Sequence, residues 1–152
     1  MNVNAAADDT IILRDISITG AGTGLKGINY IWGGTLVVDH CSIYGIKGGA
    51  TARSIDVALN NNGKLKVLDT IIENVAEDGI HLNTTAGQLL VTIDNTGIMN
   101  CGKDGIEAVA NVRGTISHSR FTHNSTSGVK TSGSNSQLNL NDIFVSYASV
   151  GL

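Results

Sequence analysis

The chain has 152 residues, a net charge of −3 and only 15% charged residues. That balance offers no basic field for phosphates, so nucleic acid is not an expected partner. No stretch approaches the roughly 18 apolar residues that membrane insertion requires, and the start, MNVNAAADDT, lacks the basic and apolar regions of a signal peptide. Such a length suits one domain that buries roughly two-thirds of its unfolded surface. Nineteen Gly, no Pro and many Ile, Leu, Val, Asn, Thr and Ser describe a β protein with frequent turns and little helix.

In chain order, residues 1–9 read as an N-terminal extension or partial cap and residues 10–152 as a single repeat domain. The repeat is aliphatic-x-aliphatic-x-polar-x-x-aliphatic-x-Gly/Asn. It begins at Ile11-Leu13-Asp15-Ile18-Gly20, recurs at Leu36-Val38-His40-Ile43-Gly45 and Leu65-Val67-Asp69-Ile72-Asn74, and continues at Val91-Ile93-Asn95-Ile98-Asn100. Looser copies follow at Gly114-Ile116-His118-Phe121-His123 and Leu138-Leu140-Asp142-Val145-Tyr147. The markers Ile18, Ile43, Ile72, Ile98, Phe121 and Val145 are spaced by 25, 29, 26, 23 and 24 residues. A second motif runs in phase as Gly27-Ile28, Ser54-Ile55, Gly79-Ile80, Gly105-Ile106 and Gly128-Val129.

Each unit holds three short alternating runs, none able to bury its apolar face alone. Stacking the units about 4.8 Å apart pairs each strand with its copy and joins the aliphatic rows into one core. The fold class read from the repeat is therefore an all-β, parallel β-helix solenoid of about six coils of 23–29 residues, with three strands per coil. Cys41 and Cys101 fall at different repeat positions about two coils apart, too far for a disulfide, and are expected to be free and buried. Gly20-Ala21-Gly22-Thr23-Gly24 mimics a phosphate loop, but no helix pattern follows it, so it reads as a bend. Tyr30 and Trp32 are expected to pack over the first coils.

These units resemble the right-handed parallel β-helix repeats of the pectate-lyase-like superfamily over residues 10–150. The resemblance implies an extracellular or cell-surface protein and a family range that includes polysaccharide lyases, hydrolases, epimerases and tailspikes. It also implies that Asn74 and Asn100 form an internal asparagine ladder. Asp78-Gly79-Ile80 and Asp104-Gly105-Ile106 are similar to segments of polygalacturonases, whose Gly-His-Gly and Arg-Ile-Lys segments have no counterpart here.

Because equivalent residues stack, the repeat is also a map of sites. One outward row is Asn29, Asp56, His81, Glu107 and Lys130; a second is Lys26, Arg53, Asp78, Asp104 and Ser127. Together Asp56, Asp78, His81, Asp104 and Glu107 form the expected ligand-binding patch, where crowded carboxylates should raise some pKa values and attract a cation or cationic group. Asp78, His81, Asp104 and Glu107 are the candidates for acid/base catalysis. Arg53 and Lys103 are the candidate bases for a lyase, whose requirement for calcium makes that ion the one cofactor the resemblance suggests. The simpler alternative is a solvated row neutralised at its ends by Arg53 and Lys130. The row Asp15, His40, Asp69, Asn95, His118 and Asp142 reads as a structural ladder of turns.

Coils this short leave little chain for the loops that wall a catalytic cleft. The sequence therefore favours a non-catalytic structural or presentation scaffold with weak binding of a polysaccharide; a small polysaccharide lyase, glycoside hydrolase or epimerase is the alternative. The short start and the stop at Val150-Gly151-Leu152, within a Gly-aliphatic motif, fit a fragment, an engineered module or a homo-oligomer that stacks through open solenoid ends.

Overall fold

The computed structural model describes residues 1–149; Val150-Gly151-Leu152, expected to begin another strand, lie outside the described residues. Alternation of apolar and polar residues produces sixteen strands in six coils, and no helix occurs among the described residues. The first coil holds β1 (Asn2–Asn4), β2 (Thr10–Arg14) and β3 (Ser17–Thr19), the second β4 (Lys26–Trp32), β5 (Thr35–Asp39) and β6 (Ser42–Tyr44). The third contributes β7 (Arg53–Leu59), β8 (Gly63–Leu68) and β9 (Ile71–Val75), the fourth β10 (Ile80–Thr84), β11 (Leu89–Asp94) and β12 (Gly97–Cys101). In the fifth, β13 (Ile106–Ala110) precedes the long β14 (Val112–Thr122), and in the sixth β15 (Val129–Thr131) precedes β16 (Gln137–Ser146).

All strand pairs are parallel. The first strands of the coils form one face in the order β1-β4-β7-β10-β13-β15. The second and third strands form two further faces, joined where β14 pairs with β11 through residues 112–117 and with β12 through residues 120–122. Asn2–Asn4 thus add a strand to the first face, ahead of the residues in which the repeat is legible.

Register follows the repeat. Ile18, Ile43, Ile72, Ile98, Phe121 and Val145 stack in one row, and Ile28, Ile55, Ile80, Ile106 and Val129 in another. The inner members of these rows are fully buried. The Gly of the Gly-aliphatic motif is there for space: a Cβ on Gly105 would lie 2.5 Å from the Gly128 carbonyl oxygen and 2.8 Å from Phe121 Cδ1. Cys41 and Cys101 are free and buried, as expected, and burial pushes the Cys101 thiol up to about 12. Tyr30 is wholly buried and donates its hydroxyl to Gly33 O at 2.9 Å, whereas Trp32 remains 37% exposed.

Between the second and third faces the chain turns on one residue. Asp15, His40, Asp69, Asn95, His118 and Asp142 all adopt left-handed φ values between 46° and 56°, which bears out the ladder of turns. Asp and Asn tolerate this region because their short polar side chains satisfy local backbone groups. Just after this bend, Cys41, Thr70, Thr96 and Ser119 are buried. Each donates back to the carbonyl two residues earlier, Thr70 to Leu68 O at 2.7 Å and Ser119 to Ser117 O at 2.7 Å. Thr70 and Ser119 also accept an amide from the preceding coil, from Cys41 and Thr96 respectively. The interior polar ladder therefore consists mainly of hydroxyls.

Asn74 and Asn100 do not form the expected internal ladder. Both are exposed and occupy a second left-handed bend, at φ 62° and 56°. The fully buried asparagine is Asn124, whose Oδ1 accepts the Cys101 amide at 3.1 Å and whose Nδ2 donates to Ile98 O at 3.3 Å.

The bend assigns opposite outcomes to two substitutions. Asn100→Gly, which has no Cβ to strain, should leave the urea midpoint unchanged or raise it. Asn100→Val should lower stability by about 1–2 kcal/mol, the cost of a side chain forced into left-handed backbone.

Candidate functional site

The first face carries the expected charged residues, placed as the repeat predicts. Asn29 aligns with Asp56, Asp56 with His81, His81 with Glu107, and Glu107 with Lys130. Lys26 and Arg53 align at the starts of β4 and β7, while Asp78 and Asp104 precede β10 and β13. The structure thus brings Asp56, Asp78, His81, Asp104 and Glu107 together along one seam.

The seam is not the solvated row that was the simpler expectation. Asp56, Asp78 and Asp104 are 2%, 0% and 1% exposed, sealed by the cations that bind them. Lys26 pairs with Asp56 Oδ2. Arg53 bridges two coils, with Nη1 3.2 Å from Asp56 Oδ1 and Nε 3.1 Å from Asp78 Oδ2. His81 Nδ1 lies 2.8 Å from Asp56 Oδ1. At the other end, Lys130 Nζ lies 3.0 Å from Glu107 Oε1 and 3.4 Å from Asp104 Oδ2. Each long basic side chain thus reaches a carboxylate of an adjacent coil, and Arg53 one of its own coil as well, covering the charge while the methylenes cover the sheet.

The electrostatics follow from this pairing. Burial alone would raise the Asp56 pKa, but hydrogen bonds from His81 and Lys26 outweigh it and bring the carboxyl down to about 2. Burial of Glu107 is likewise outweighed, chiefly by its bond from Lys130, and its pKa falls. The Asp78 pKa rises, as expected for one of these carboxyls, but chiefly through burial; the Glu107 charge adds to this, while the Asp104 amide and Arg53 oppose it.

Asp78, Asp104 and Glu107 each present an oxygen within 4.8 Å of the others. The buried Asp104 Oδ1 has no hydrogen-bond partner. This oxygen-only donor set is of the kind that suits calcium, but Lys130 and Arg53 already supply positive charge there. A second group consists of Asp39, His40 and Asp69. Repeat reasoning placed Asp15 beside His40 and Asp69 and missed Asp39, because Asp39 belongs to the strand before the bend. Asp39 is held by Arg14 at 2.7 Å and His40 at 2.6 Å, and the His40 hydrogen bond, followed by that of Arg14, lowers its pKa.

Of the two candidate lyase bases, Arg53 is consumed by the seam, and Lys103 is held in an ion pair with Glu77. That bond raises the Lys103 pKa, opposite to what a base needs. The sequence signal for the burial was present in the lysines and arginine that share the acidic rows; it required knowing that these side chains fold over the sheet.

A family model for the right-handed beta helix region matches residues 2–144, and the chain belongs to that family. No curated protein and no solved structure matches it. No helix is long and apolar enough to cross a membrane among the described residues.

Asp56 has a distinctive dependence on pH. Its folded pKa is depressed, so its stabilisation is complete above the unfolded value near 3.8 and is lost as pH falls through about 2. Asp56→Asn should cost on the order of 2 kcal/mol at pH 7 by this linkage, and should flatten the loss of stability between about pH 4 and 2. Asp78, with a raised pKa, contributes with the opposite sign, so Asp78→Asn should cost less at pH 7. Urea titrations across the acid range measure both.

Proposed function

We propose that this chain is a non-catalytic β-helix module, a rigid scaffold for structure or surface presentation. The observation that carries the reading is the burial of Asp56, Asp78 and Asp104, each bound to a cation of its own or an adjacent coil. A general acid or base must reach the proton it transfers. Here the carboxylates are spent holding coil to coil, and the groups left at the rim are His81 and Glu107, whose side chains are 12% and 17% exposed.

Weak contact with a sugar through the Asn29, His81, Glu107 and Lys130 edge is compatible with this scaffold, as is the extracellular setting that the resemblance implies. The β-helix fold itself hosts many activities and selects none of them.

Incubation with polygalacturonate, alginate and neutral β-glucans, followed by assays for new reducing ends and unsaturated products, should show no turnover. Asp78→Asn, His81→Gln, Asp104→Asn and Glu107→Gln should instead lower the Tm. Turnover that disappears in any of these variants while its circular dichroism is unchanged would replace the scaffold reading with the lyase, hydrolase or epimerase alternative.

A further inference from the structure

The pairing of the sheets leaves strand edges free at both ends of the solenoid among the described residues. β2 pairs only with β5, β3 only with β6, and β16 only with β14. Each therefore turns backbone amides and carbonyls outward along the axis, where an inner strand meets another coil.

The side chains at these edges keep the character of the core. Solenoids that end in water carry terminal repeats with a polar outer face. Here Ile11, Leu13 and Ile18 stand at one end of the aliphatic rows and Leu138, Leu140 and Val145 at the other. Leu140 is 38% exposed, and the other five are only partly buried against the core. At the sixth-coil end a cavity of about 500 Å³ has Val129, Leu138 and Leu140 in its lining. The interior ladder changes in the same sense. Just after the bend the inner coils carry Cys41, Thr70, Thr96 and Ser119, whereas the two end coils carry Ile16 and Ile143. An isoleucine there neither donates to a carbonyl nor accepts an amide, and adds apolar surface where contact with water would favour a hydroxyl.

We propose that these ends bind each other in successive copies of the chain, the β2 and β3 edges of one molecule adding in parallel to the β16 edge of the next. The interface is the one that already joins coil to coil within the chain, continued across a molecular boundary. Residues 137–141 of β16 match β2 in length and residues 144–146 match β3. Between them, Asp142 and Asp15 make the same left-handed turn, at φ 51° and 56°. Addition one strand spacing away, about 4.8 Å, sets Ile11 on Leu138, Leu13 on Leu140, Ile16 on Ile143 and Ile18 on Val145. Each of these four contacts is aliphatic on both sides. One row is mismatched: Asp142 comes to lie beside Asp15, a like-charge contact that weakens the join.

A head-to-tail join uses different surfaces on its two sides, so it produces an open series of molecules rather than a closed pair. Each copy adds six coils, about 29 Å of axis. Two β16 edges paired with each other would run antiparallel and leave the apolar first-coil end uncovered. The proposal concerns the ends alone and holds whether or not the first face is catalytic.

Sedimentation velocity across a wide range of concentration, with electron microscopy of the same samples, tests it. A sedimentation coefficient that rises with concentration and unbranched rods of variable length are expected. Leu13→Lys on the first coil and Leu140→Lys on the sixth, each checked by circular dichroism, should each weaken self-association at least tenfold, because the join would bury an unpaired charge. Mixed together, the two variants should form a one-to-one dimer that grows no further, since each retains the end that the other has lost. Asp142→Asn, conservative in a left-handed bend, should strengthen association, and it carries the test if either lysine variant fails to fold. A strict monomer at every concentration overturns the proposal and leaves the edges to a strand of some other protein. A dimer that persists unchanged in Leu13→Lys also overturns it, by pairing β16 with itself. Weaker association in Asp142→Asn overturns the register.

Discussion

Everything in this molecule depends on parallel, in-register stacking of one coil on the next. Each backbone strand finds its hydrogen-bond partners one coil away, so a coil cannot satisfy its own polar groups or bury its own apolar face. The constraint turns residue types into rows. A leucine or isoleucine in one coil becomes part of a continuous core, and a carboxylate becomes the neighbour of whatever the next coil places at the same position.

Rows of like residues suit an apolar core and endanger a charged surface. The first face resolves this by alternating signs between rows and coils: Lys26, Arg53 and Lys130 reach over Asp56, Asp78, Asp104 and Glu107. At Asp56 the hydrogen bonds from His81 and Lys26 outweigh the desolvation cost and the pKa falls, whereas at Asp78 burial prevails over Arg53 and the pKa rises, so neighbouring carboxylates on one seam shift in opposite directions. The same arrangement that secures the coils removes Asp56, Asp78 and Asp104 from solvent.

The bends follow the same logic. A coil closes in so few residues because single left-handed residues turn the chain, and hydroxyl or thiol side chains immediately inside collect the carbonyls that the turn leaves pointing inward. Outside, those bend residues stand in a column beside Ile71, Arg120 and Phe144. The outer groove, about 740 Å³ in volume, is thus a by-product of the turn.

By itself the amino-acid sequence determined the number of coils, their register, the core rows and the list of charged residues sharing the first face, because a solenoid makes spatial neighbours of residues at a fixed sequence interval. It also marked the bend row, since Asp, Asn and His recur where left-handed backbone is needed. Only the tertiary structure decided burial. That Asp56, Asp78 and Asp104 are sealed, that Asn74 and Asn100 face solvent while Asn124 lies inside, and that Asp39 joins His40 all depend on side-chain directions and on how long basic side chains lie over the sheet. The groove was likewise beyond the sequence, because its two walls come from different rows whose angle is set by the bend, and periodicity along one row carries no information about the angle between two.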